Sequence, residues 1–171
     1  YDHRRSAIGL AVLTPRLGLL ARHSEPILLP DSAYDNLGVE DPRVTRIGDR
    51  FFMCYCGYGS GVDRNSIRIA MAGSEDLVHW RKYGLVRGAF NEIDNKNAML
   101  FPRKVSGKCY LFHRPMEGPD AMAIHCAEAD DIAGEWESQG VVMKPLPNPE
   151  FKDVWIGGGA PPISLPDGRF L

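Results

Sequence analysis

The chain has 171 residues, 44% hydrophobic and 25% charged, with a formal net charge of −2. That composition suits one domain with its own core, and the charge balance excludes a basic face that tracks a nucleic-acid backbone. No apolar run approaches the roughly 20 residues of a membrane helix, and no signal-peptide pattern opens the chain, which begins on Tyr1.

In chain order, the first β-rich run is Ser6–Val12. Next comes G-V-E-D-P-R-V-T, Gly38–Thr45, leading through a Gly48 turn into Arg50–Tyr55. Ser66–Ala72 follows and ends in a turn closed by Trp80. The stretch D-N-K-N-A-M-L-F-P-R-K, Asp94–Lys104, precedes Lys108–His113, and Ala121–Ala127 then runs to a second turn closed by Trp136. The last run starts at W-I-G-G-G-A-P-P and crosses a Gly168 turn. Short β-rich runs between 18 glycines and 13 prolines, without helical periodicity, predict an all-β fold.

The runs repeat. Pro42, Pro102 and Pro162 stand sixty residues apart, each followed by a short strand, a glycine turn and an apolar strand. The Ser66 and Ala121 runs are a second repeated element, of which Ser6–Val12 is a poorer copy. Units of about four strands at this period predict a β-propeller with one four-stranded sheet per blade. Three units do not close a propeller, so residues 1–171 are expected to be a single partial domain, cut at both ends.

Cys54 and Cys56 would share one face of one strand, where a mutual disulfide is awkward, and no cysteine has zinc-site spacing. All four, with Cys109 and Cys126, read as buried free thiols of a reducing, cytoplasmic compartment. The five histidines include no close metal pair, so no metal is expected. Trp80 and Trp136 read as packing residues, whereas Trp155 lies in a site loop and could stack on a sugar.

In a propeller the loops at one mouth build the site. Under the proline register Asp41 aligns with Phe101 and Pro161, so the fold does not demand an acid there, which singles out Asp41. The second loop gathers Lys96, His113 and Arg114, suited to an anionic or hydroxyl-rich ligand. Lys104 and Lys108 read as solvated charge. The three glycines of the third loop permit close backbone approach to a ligand, and the pattern is not a dinucleotide fingerprint.

Together, G-V-E-D-P-R-V-T, N-K-N-A-M-L-F-P-R-K-V-S-G-K-C-Y-L-F-H-R-P and I-G-G-G-A-P-P-I resemble glycoside hydrolase family 130, the β-mannoside phosphorylases and related β-mannosidases. The resemblance covers essentially the whole chain. It implies a five-bladed propeller, of which the chain would supply about three blades. It also implies that Asp41 is the general acid, acting through a sugar hydroxyl. Inorganic phosphate would attack the anomeric carbon with inversion and release α-mannose 1-phosphate.

The resemblance places Lys96, Asn97 and Arg114 toward phosphate, with Lys96 standing for a more usual Arg and Trp155 for a more usual Lys, and His113 of the second loop is expected beside them. The resemblance also places Arg4 and Ser6 near the terminal mannoside, and Glu40, Arg43, Asp94 and Trp155 of the site loops are expected to contact substrate. The partners implied are a β-mannoside oligosaccharide and phosphate as co-substrate, without a cofactor, nucleic acid or membrane; a homo-oligomer is left open. An inverting β-mannosidase would instead need a second carboxylate as base, sought among Glu40, Asp63, Glu92, Asp94 and Glu117. A sugar-binding propeller without activity, or an inactive fragment, is the third reading.

Overall fold

The computed structural model describes residues 5–61, 64–147, 149–150 and 154–171. Arg4 and Asp63 lie outside them. The described residues are all-β apart from one 3-10 turn, Ala89–Asn91. A small hairpin pairs β1 (Ala11–Leu13) with β2 (Leu19–Arg22). The first four-stranded sheet is an antiparallel meander of β3 (Gly38–Ile47), β4 (Arg50–Gly59), β5 (Ser66–Ser74) and β6 (Arg81–Leu85). The second repeats that order with β7 (Asn95–Leu100), β8 (Cys109–Pro115), β9 (Ile124–Ala129) and β10 (Glu137–Met143). Beyond it, Ser164 bridges Phe170 across the predicted third turn.

The strands form because alternate residues face two different apolar layers. From β4 and β5, Phe52, Cys54, Ile69 and Met71 face the second sheet and meet Leu100, Leu111, Ala127 and Trp136. Their neighbours Met53, Tyr55, Ala70 and Ala72 face the other way, onto Ile8, Leu28 and Val39. The central strand β4 is thus buried on both faces, which explains its nearly unbroken apolar run FFMCYC. The turn tryptophans pack as expected. Trp80 donates its indole N–H to the Leu77 carbonyl and Trp136 to that of Ile132.

Across the seam between the sheets, buried Thr45 of β3 donates its hydroxyl to the Leu100 carbonyl of β7 at 3.2 Å. This bond holds the first strands of the two sheets side by side. The candidate site lies along the same seam.

Candidate active site

Both seam strands carry a bulge. Glu40 pairs with Cys56 and Arg43 with Cys54, so β3 holds one residue more than β4 over that interval. The extra residue lies at Asp41-Pro42. Proline has no N–H to give the ladder and is tolerated at a bulge. Asp41 adopts a left-handed backbone, φ 53°, which Asp and Asn tolerate better than other side-chain-bearing residues. In β7, Lys96 pairs with Arg114 and Met99 with Phe112, again with one residue extra, and Asn97 has φ 56°.

The structural counterpart of Asp41 is therefore Asn97, which corrects the proline register. Pro42 lies inside β3, whereas Pro102 lies past the end of β7. The cause is hairpin length. β3 runs directly into its turn at Ile47–Arg50, but residues 101–104 intervene before Val105 and Lys108 close theirs. Asp41 is therefore singled out by comparison with Asn97. Two equivalent bulges present an acid and an amide, and only the acid can transfer a proton.

The seam gathers most of the predicted residues. Glu40 accepts the Ser6 hydroxyl on one oxygen at 3.2 Å and faces the Lys96 ammonium at 4.0 Å on the other. The exposed Asp41 carboxylate receives the Cys56 thiol at 4.0 Å. Burial, then the nearby Asp41 charge, pushes that thiol up to about 11, so it stays protonated. Sequence reasoning read Cys56 only as a buried thiol. The signal that places it under Asp41 is its register opposite Glu40, which no local pattern specifies.

Arg114 has its Nε buried without a hydrogen-bond partner among the described residues. Burial draws the guanidinium below its usual range, with the charges of Asp41 and Arg43 also acting on it. The glycine loop comes alongside. A Cβ added to Gly157 would stand 3.4 Å from Arg114 Nη1 and 3.5 Å from Asn97 Nδ2. A Cβ on Gly158 would fall 1.9 Å from the Met99 methyl, the far end of a flexible side chain, so an alanine there requires Met99 to move.

Three predicted residues stand differently from expectation. Arg43, expected to touch sugar, spends its donors on protein. Nε bonds the Gly159 carbonyl at 2.9 Å, Nη1 the Asp41 carbonyl at 3.2 Å, and Nη2 both Asn97 Oδ1 at 2.7 Å and the Gly158 carbonyl at 3.0 Å. His113 is not brought to Arg114, because successive side chains of a strand face opposite ways. It is 1% exposed, with Nδ1 against Asn95 Oδ1 at 3.1 Å and its ring over Phe90. Burial, with a smaller contribution from His125, pulls it down to about 3.

Asp94 is engaged by Arg68 at 2.6 Å, Arg64 at 2.9 Å and the Ile67 amide at 2.9 Å. Burial alone would raise its pKa, but these partners hold it below the usual carboxylate range. Its carboxylate ties Arg64, Ile67 and Arg68 to the start of β7. Trp155 is 61% exposed beside the glycine loop. Lys104 and Lys108 both reach Asp130 at the surface, as expected of solvated charge.

A family model described as β-1,4-mannooligosaccharide phosphorylase matches residues 3–171. A 1,2-β-oligomannan phosphorylase of Thermoanaerobacter sp. (strain X514) is 33% identical over 171 residues, covering 100% of this chain and 53% of that protein. A β-1,2-mannobiose phosphorylase of the same strain is 36% identical over 166 residues, 97% of this chain and 51% of that protein. The chain spans about half the length of the curated relatives it matches. Among solved structures, the β-1,2-mannobiose phosphorylase of Listeria innocua, in complex with β-1,2-mannobiose, superposes with TM-score 0.70 at 24% identity. It covers 88% of this chain and 40% of that one. A glycosyl hydrolase from Bacteroides ovatus superposes with TM-score 0.73 at 21% identity, covering 93% and 48%. At these identities the likeness is one of fold.

Proposed function

Because this chain belongs to the β-1,4-mannooligosaccharide phosphorylase family, glycoside hydrolase family 130, we propose that it carries the acid and part of the phosphate site of an inverting β-mannoside phosphorylase. The two meanders are blades of a five-bladed propeller, and the β3–β7 seam is part of its channel mouth. Asp41 supplies the proton through a sugar hydroxyl to the glycosidic oxygen. A phosphate oxygen forms the new bond to the anomeric carbon as the glycosidic bond breaks. Configuration inverts, and α-mannose 1-phosphate leaves.

The observation that carries this reading is Arg114. A guanidinium with a buried, unpartnered N–H is costly unless a ligand supplies the acceptor. It stands opposite Lys96 in the ladder and beside the Asn97 amide. Three donors converging next to a carboxylic acid suit a phosphate dianion, with Lys96 supplying charge and Arg114 a fork. No catalytic base is needed, since phosphate is already an anionic nucleophile. The exposed Trp155 offers an apolar face to the sugar. Relatives named for β-1,2-linked substrates favour that linkage here. Four buried free thiols support a reducing, cytoplasmic setting.

One observation favours hydrolysis as the second reading. Glu40 already faces Lys96, which leaves less positive charge for phosphate and puts a carboxylate at the seam. The test is to incubate the full-length protein with β-1,2- and β-1,4-linked mannobiose, with and without inorganic phosphate. Mannose 1-phosphate formed only with phosphate is the expected result. Free mannose formed regardless of phosphate overturns the phosphorylase in favour of a mannosidase.

A further inference from the structure

We infer that Arg43 is a positioning residue that orients the Asn97 amide and the glycine loop so that these two elements turn donors, and not their oxygens, toward an anion. The inference rests on the phosphate reading above and extends it to a residue expected to touch sugar.

The Arg43 guanidinium can only donate. It has five N–H donors in one plane and no acceptor. The Asn97 atom it meets at 2.7 Å must therefore be the carbonyl oxygen. That choice fixes the rest of the amide. With Oδ1 committed to Arg43, Nδ2 turns toward Gly157, where Arg114 Nη1 also lies. Without Arg43 the amide could rotate and offer an oxygen to an incoming anion, which repels it.

The remaining donors act on backbone in the same way. Nη2 and Nε take the carbonyls of Gly158 and Gly159, 115 and 116 residues further along the chain. Those two oxygens are thereby kept out of the anion site. Nη1 takes the Asp41 carbonyl at the β3 bulge. One side chain thus ties the acid-bearing bulge, the amide-bearing bulge and the glycine loop. Lysine cannot replace it, because a single ammonium does not reach acceptors spread along a planar fork.

The experiment measures binding of inorganic phosphate and of β-1,2-mannobiose separately, by calorimetry on the full-length protein, for wild type, Arg43→Ala and Asn97→Asp. Asn97→Asp keeps an acceptor for Arg43 and tolerates the bulge backbone, but removes the donor. The expected result is weaker phosphate binding in both variants, by about tenfold or more, as for a lost hydrogen bond to a charged group. Mannobiose affinity should stay within about twofold, and added guanidinium ion should restore phosphate binding to Arg43→Ala.

Wild-type phosphate affinity in both variants overturns the assignment. So does an equal loss of phosphate and mannobiose binding in Arg43→Ala, which would mark a general structural staple. A wild-type protein that binds no phosphate overturns the phosphorylase reading, and this assignment with it.

Discussion

Asp41 and Asn97 hold the same place in two successive sheets. Each is the left-handed residue of a bulge in its sheet's first strand, with φ of 53° and 56°. The residue before each, Glu40 and Lys96, faces the other across the seam. The fold builds one device twice and dresses it once with an acid and once with an amide.

That equivalence designs the first test. Asp41→Asn should preserve the bulge, since asparagine already occupies the matching one. In the full-length protein kcat should fall by about 10²–10⁴, the usual contribution of a general acid, while circular dichroism and the unfolding midpoint hold. Wild-type turnover in this variant removes Asp41 from the chemistry.

Replacement of Arg114 separates function from stability. Arg114→Gln removes a half-buried charge that no described residue bonds. Without ligand the variant should be at least as stable as wild type, as is common where a functional group is strained. The rise in melting temperature that saturating phosphate gives wild type should be lost. Calorimetric unfolding with and without phosphate checks both parts.

Acid should destabilise the fold through His113. Its folded pKa, about 3, lies below the unfolded value of about 6.5. The unfolded chain therefore takes the proton first. The stability this residue contributes is present above pH 6.5 and is lost as pH falls toward 3, at up to about 1.4 kcal/mol per pH unit. Urea unfolding between pH 4 and 8 should show that slope, and His113→Gln should flatten it. The His113 ring resonances should not titrate between pH 5 and 8.

The buried thiols give the opposite dependence. Burial raises Cys54 to about 12 and Cys56 and Cys126 to about 11. Unfolded thiols ionise near pH 9 while the folded ones stay protonated, so stability should decline as pH rises from 9 toward 11. Iodoacetamide at pH 8 should leave these three cysteines unlabelled in the folded protein and label them in urea.

The glycine loop offers a paired test. Gly157→Ala meets its neighbours at ordinary contact distance, whereas Gly158→Ala drives its methyl into Met99. Gly157→Ala should lower phosphate affinity by covering the Arg114 and Asn97 donors, with no rescue by Met99→Ala, whereas any loss in Gly158→Ala should be partly restored by Met99→Ala, which makes room. Equal behaviour of the two alanine variants would contradict the packing described for this loop.

The apolar strands β4, β5, β8 and β9 and the turn tryptophans were legible in the sequence, whereas Asn95–Leu100, read as loop, is strand β7. The legible ones depend on local facts: alternation of apolar residues, glycine at tight turns, and a repeated pattern along the chain. Asp41, Lys96 and Arg114 were also marked, through their motifs. What those patterns do not contain is register. Pro42 and Pro102 look equivalent in sequence, yet one lies in a bulge and the other beyond a strand end, because two hairpins differ in length. A shift of that kind decides which side chain opposes which. It put Cys56 beneath Asp41, turned His113 into the core, and spent Arg43 on carbonyls more than a hundred residues away. Contacts between distant segments are selected by the packing of whole sheets. Sequence alone determined the apolar strands at the heart of each sheet and the chemistry available, and tertiary structure decided the seam strands' register and which groups remain free to use that chemistry.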